Sequence, residues 1–149
     1  MTDALPCLDL LAATPVVLRG LTCEISREDA RWKPADDRFS IAEVLAHLAH
    51  SEGHCYRARV DRFLAEEAPV LEPDDAQMHL ALYRNADLDE AFGRFESERA
   101  ANVGLLRGLP VDAGRREARH LSAGVITLSE MLHEWALHDL GHVRQVAEL

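Results

Sequence analysis

The chain lacks what would send it to a membrane, a nucleic acid or an oxidising compartment. It has no run of about 18 apolar residues, so no membrane span is expected. It has no basic cluster, and its formal charge is −10, from 26 acidic and 16 basic residues. A phosphate backbone would be repelled, which disfavours nucleic-acid binding. Cys7, Cys23 and Cys55 form an odd set without C-x-x-C spacing. A disulfide framework or cysteine-rich zinc site is therefore not expected, and reduced thiols in a cytoplasm fit best. The opening MTDALPCLDLLAATP has no basic leader and carries Asp3 and Asp9, so it does not read as a secretory signal. Internal repeats, low-complexity tracts and Gly/Ser linkers are missing, and strand patterning is scarce.

What is present is helical periodicity. The 149 residues are 48% apolar and 28% charged, which suits a single domain, 1–149, with a real core. Four long helical patterns stand out. The first covers about Pro6–Glu24, with Leu8, Leu11, Val17, Leu18 and Leu21 apolar, and Pro15 should bend or interrupt it. A charged loop, SREDARWKPADDRF, follows. The second pattern opens at Ser40, where Ser40 and Glu43 make an S-x-x-E capping box, and it ends before Pro69. Residues 69–86 form a long connector with one short helix around Ala76–Tyr83.

The third pattern starts at Asp87, an N-cap with Glu90 three residues on, and runs to about Leu109. Its stripe of Leu88, Phe92, Phe95, Leu106 and Leu109 is broken by Arg99 and Asn102. Those two could face a polar cavity. The simpler expectation is that both are solvated and that the phase is off by one residue. The stretch VDAGRREARHLSAGVI reads as a loop, partly extended. Thr127 and Glu130 give a second capping box, and the fourth pattern runs from Leu128 to the C-terminus. The fold class expected is all-α: a four-helix bundle with a long connection between its second and third helices.

Eight histidines are spread along the chain: His47, His50, His54, His79, His120, His133, His138 and His142. Two pairs are four apart, His50/His54 and His138/His142. On a helix that spacing stacks two side chains on one face, where both imidazoles can reach one ion. His133 points about 140° away from His138 and is set aside. His47 and His54 share a direction but lie about 10.5 Å apart along the axis, too far to share an ion. The second helix can thus offer one ligand or the His50/His54 pair, not three. HSEGH is not a zinc-protease motif, because Glu52 does not directly follow His50. In HEWALHDLGHVRQV, Gln145 lies three after His142 and could orient a ligand or a bound water. Trp135 could wall a site, but core packing is the expectation for it.

FSIAEVLAHLAHSE followed by LHEWALHDLGHVRQV resembles the DinB-like superfamily of the YfiT type. The resemblance spans nearly the whole chain, including LLAATPVVLRGL, the RWKP loop and TLSEMLHEWALHD. It implies a four-helix bundle with one divalent ion held by three histidines. One comes from a W-S-x-x-E-V-x-x-H-L-A pattern on the second helix, and two come from H-D-x-x-H-x-x-Q on the last. Residue by residue, these are His47, His138 and His142. Phe39 stands where the family usually has Trp, a change of packing and not of ligation.

The resemblance also implies function. Three imidazoles and an open position describe a catalytic-type site for zinc or nickel, with iron or manganese also admissible. Relatives of this type are described as metal-dependent hydrolases or as transferases that use a low-molecular-weight thiol such as bacillithiol or mycothiol. The leading expectation is thiol S-transfer or detoxification of a small-molecule substrate. A hydrolase, or a non-catalytic metal- or ligand-binding stress protein, is the alternative. A homodimer is also implied. No catalytic acid or base is assigned. By ideal helix geometry, Glu52 lies about 140° and Tyr56 about 180° from His47, so Glu52 misses the cavity and Tyr56 is core or surface. Cys55 is expected to be a small buried apolar residue.

Overall fold

The computed structural model describes residues 4–73 and 80–149. Helix α1 spans Leu8–Thr22, and a short α2 spans Arg27–Arg31. Helix α3, Ile41–Ser51, passes through a π-helical turn, Glu52–Arg57, into α4, Ala58–Ala65. Helix α5 is Leu88–Arg107 and α6 is Leu128–Glu148. The four layers of the bundle are α1, the continuous α3–α4, α5 and α6, as the patterning predicts. The short helix expected over Ala76–Tyr83 lies partly outside the described residues, and its described part, Leu80–Tyr83, is a 3₁₀ turn.

The helix starts fall where the caps predict. The Ser40 hydroxyl accepts from the Glu43 N–H at 3.1 Å, and the Glu43 carboxylate accepts from the Ser40 N–H at 3.1 Å. Thr127 and Glu130 repeat this box at the head of α6, and Asp87 caps α5 by accepting from the Glu90 N–H. Each arrangement gives partners to N–H groups that helix geometry leaves without one.

The segment expected as a loop holds more order than its sequence suggests. Strands β2, Glu117–His120, and β3, Gly124–Thr127, form an antiparallel hairpin. Strand β1, Val70–Leu71, joins β2 in parallel, giving the sheet order β1-β2-β3. Gly124 supplies the positive φ of 79° that the turn requires. The His120 Nδ1 accepts the Ser122 and Ala123 N–H groups across that turn. Arg116 fastens the hairpin to the bundle by donating to the carbonyl of Phe63 at the end of α4. Strands this short carry too few residues for alternation to show.

The core is divided. One apolar cluster gathers Leu8, Leu11, Val60, Phe63, Leu106, Met131 and Trp135. The other gathers Leu18, Val44, Leu45, Leu48, Phe92 and Phe95. Along every bundle helix a buried polar residue stands between the two: Thr14 on α1, Glu52 after α3, Arg99 and Asn102 on α5, and Asp139 on α6. The polar break in the α5 stripe is therefore in phase. Arg99 is 1% exposed and Asn102 4%, against the expectation that both are solvated. Their burial is tolerable because both are hydrogen-bonded to the buried Glu52.

Pro15 sits inside α1 without ending the helix. It has no N–H to give the Leu11 carbonyl four residues back. That carbonyl instead accepts from Arg99 Nη1 at 2.8 Å. The proline thus leaves an acceptor open for a buried cation, at the point where the sequence suggests a break.

Candidate metal centre

His47 lies on α3, two turns after the Ser40 cap, and is buried. His138 and His142 lie one turn apart on α6 and are half-buried. Packing of α3 and α6 brings the three rings together. The His47 centroid lies 5.6 Å from that of His138 and 4.8 Å from that of His142. Among the described residues these three form a metal-capable group, with ligand atoms all within 4.8 Å of one another.

The donor set fits a divalent ion. The Nε2 atoms of His138 and His142 are 3.2 Å apart. Two nitrogens bound to one tetrahedral ion would be about 3.3 Å apart. The widest gap in the set exceeds that by about 1.5 Å, a distance side-chain torsion can close. His142 is well oriented for ligation. Its Nδ1–H donates to Gln145 Oε1 at 2.9 Å, which fixes the tautomer and leaves Nε2 with its lone pair facing the site. Burial lowers the His142 pKa, opposed by Gln145 and Asp139, and so favours the neutral ring that a ligand must be.

Aromatic rings surround the cluster. Phe39 and Tyr83 each lie 5.7 Å from His47, and Tyr56 lies 5.4 Å from His138. Phe39 therefore packs against the His47 ring, as expected for a residue that replaces Trp. Tyr83, in the connector, has no spacing signal that would place it here. Burial pushes the Tyr56 phenol far above its ordinary range, so it stays protonated.

The other histidines are elsewhere. His133 is exposed, with its Nδ1–H donating to the Ser129 carbonyl at 2.8 Å. His50 and His54 stack on each other at 4.4 Å. His120 serves the hairpin turn, and His79 lies outside the described residues. Cys55 is half-buried against the core, and no disulfide joins the three cysteines.

Glu52 and Tyr56 lie where ideal helix rotation puts them, Glu52 outside the histidine cavity and Tyr56 in the core. Both belong to the π turn, Glu52–Arg57, and both are buried. Glu52 does not enter the histidine cluster. It accepts from Arg99 Nε and Nη2 at 3.0 and 2.6 Å, from Trp135 Nε1 at 3.1 Å and from Asn102 Nδ2 at 2.8 Å. Trp135 is accordingly a core residue, stacked on Tyr56 at 4.6 Å.

Arg99 completes the network. Its Nη1 and Nη2 donate to the two Asp139 oxygens at 2.6 and 2.8 Å, the planar fork suited to a carboxylate. With Leu11 O and Glu52, all five of its N–H donors are used. Burial opposes the guanidinium charge, but Asp139 and Glu52 outweigh it and hold Arg99 protonated. For Glu52, burial pushes the carboxyl up against the pull of Arg99 and Asn102, and the Asp139 charge adds to the push. One cation thus serves two carboxylates.

The sequence profile described as the DinB superfamily matches residues 10–146. No curated protein matches the chain by sequence. Among solved structures it is similar to YfiT from Bacillus subtilis, described as a probable metal-dependent hydrolase with an unusual four-helix bundle topology. That likeness has a TM-score of 0.81 at 22% identity and covers 95% of this chain and 82% of the other.

Proposed function

The chain belongs to the DinB superfamily, and from that premise we propose that it is a metal-dependent enzyme whose ion is held by His47, His138 and His142. The observation that carries this reading is the convergence of three ring nitrogens from two helices within 4.8 Å, with Gln145 setting one tautomer. Zinc or nickel suits an all-imidazole set. Such an ion supplies Lewis acidity, lowering the pKa of a water or a thiol in its open position.

We favour thiol-dependent S-transfer to a small electrophile. The buried carboxylates near the centre have other employment: Glu52 and Asp139 are bound by Arg99, and Glu43 by its cap and Lys33. A thiol activated as thiolate needs no further base from the protein, whereas hydrolysis gains from one. The aromatic walls and the neutral phenol of Tyr56 give an apolar setting that suits a soft nucleophile. The second reading is a hydrolase, supported by the description of YfiT. A binder without turnover is the third.

The test starts from untagged protein. Stoichiometric zinc or nickel is expected, and its absence, together with no affinity for either added ion, would sink the metal reading. Turnover of a thiol with a chlorinated acceptor, lost in His47→Ala, supports S-transfer. Metal-dependent cleavage of ester or amide substrates without thiol would support hydrolysis instead.

The proposed assembly is a homodimer through α1 and α6, where Val17, Leu21, Leu137 and Leu140 are exposed. In sedimentation, Leu137→Glu should convert a dimer to a monomer. A monomeric parent protein would end that proposal. Among the described residues no helix is long and apolar enough to cross a membrane.

A further inference from the structure

The two ligand-bearing helices are joined by a buried polar chain as well as by apolar contact. Five residues after His47, Glu52 binds Arg99 of α5, and Arg99 grips Asp139, the residue next to His138 on α6. Trp135 of α6 donates to the same Glu52 oxygen that Arg99 uses. Thr14 of α1 closes the arrangement by donating to Asp139 Oδ2 at 2.7 Å. The path Glu52–Arg99–Asp139 therefore runs from the helix of His47 to the helix of His138 and His142, through bonds of 2.6–3.0 Å.

We propose that this chain is a positioning device for the three-histidine centre. Arg99 and Asp139 set the rotation of α6 about its axis, and hence the aim of His138 and His142 at His47. The inference rests on the metal-ligand reading above and deepens it.

The physical case has two parts. Ligand atoms must be held within about 0.5 Å of their geometry for tight binding. An apolar interface alone lets a helix turn or slide at low cost, because dispersion and area terms are non-directional. A bidentate guanidinium–carboxylate pair is directional, and at Asp139 it lies about 100° around the helix from His138. Rotation of α6 would break two short charged bonds and the Thr14 bond together. The Pro15-released carbonyl of Leu11 and the carboxylate of Glu52 hold Arg99 from the other side. The fork thus has no freedom to follow α6 if α6 moves.

The experiment titrates cobalt(II) into metal-free protein. It reads the ligand-field absorption of the bound ion and, by competition with a chromophoric chelator, the affinity. Thr14→Val removes one bond to Asp139. Thr22→Val is its control, because the Thr22 hydroxyl is equally buried but donates only to the Leu18 carbonyl of its own helix. Arg99→Lys keeps the charge and loses the fork.

We expect Arg99→Lys to weaken cobalt binding about 10- to 100-fold, with an altered ligand-field spectrum. Thr14→Val should weaken it several-fold, and Thr22→Val should leave affinity and spectrum unchanged. Should Arg99→Lys fail to fold, the two threonine variants decide. Wild-type affinity and spectrum in Thr14→Val, or equal losses in both threonine variants, would overturn the inference while leaving the ligand reading intact. Failure of the unaltered protein to bind cobalt or zinc would overturn the ligand reading and this inference with it.

Discussion

The chain contains two H-x-x-x-H pairs with the same spacing and different fates. His138 and His142 present Nε2 atoms 3.2 Å apart, face His47, and have Gln145 behind one ring. His50 and His54 lie face to face, with ring planes 20° apart, and His54 is part of the π turn Glu52–Arg57. Stacked rings direct their in-plane lone pairs side by side. The α6 rings are steeply tilted to each other, at 75°, and their Nε2 atoms come close. The difference comes from what surrounds each pair: a third histidine from another helix, an orienting acceptor and a buried ionic chain. Spacing is necessary for a site of this kind and far from sufficient.

Removing a proposed ligand should break the comparison most completely. His138→Ala is expected to lose stoichiometric metal while remaining helical by circular dichroism, and retention of a full equivalent would refute its assignment. Next is the charge behind the α6 pair. Arg99→Met strands two buried carboxylates and should cost about 3–5 kcal/mol in denaturant unfolding. A cost below about 1 kcal/mol would mean that the network is incidental.

Glu52→Gln should cost about 1–3 kcal/mol and change the pH profile. Burial raises the Glu52 pKa in the folded chain, so the folded state binds its proton more readily than the unfolded one. This group's contribution is complete below the ordinary carboxylate range and declines as pH rises through the folded pKa. Stability measured across that window should fall in the parent and fall less in the variant. The same slope in both would reject the shift.

Smaller still is the orienting bond. Gln145→Leu should weaken zinc binding about 10-fold, the low end for such partners, with stability little changed. His54→Ala should do least, within about 0.5 kcal/mol of the parent in stability and with unchanged metal content. A loss of metal in that variant would erase the contrast between the two pairs.

Much of the fold is legible in the sequence for physical reasons that can be named. Capping boxes are local, so Ser40/Glu43 and Thr127/Glu130 mark helix starts correctly. Ideal helix rotation sets His133 aside, and it lies exposed. The histidine set requires the family resemblance, because nothing near His47 tells it from His50 as a partner for α6. Ideal rotation also keeps Glu52 out of the histidine cavity and leaves Tyr56 to the core, where both are found, although the π turn that carries them has no local signal of its own. Arg99 and Asn102 read as solvated because their partners are 40 or more residues away. Two clues do exist: a proline inside α1 that frees a carbonyl, and a polar pair in an otherwise apolar stripe.

By itself, then, the sequence determined the number of long helices, their starts and the pairing of His138 with His142, because caps and periodicity act within a few residues. Only the tertiary structure decided that His47 faces that pair, that Tyr83 and Phe39 wall it, and that Glu52, Arg99 and Asp139 lie in line behind it. Those relations join helices far apart in the chain, and burial makes them consequential: in a low-dielectric interior each charge must find its partner, and the partners it finds fix how the helices sit.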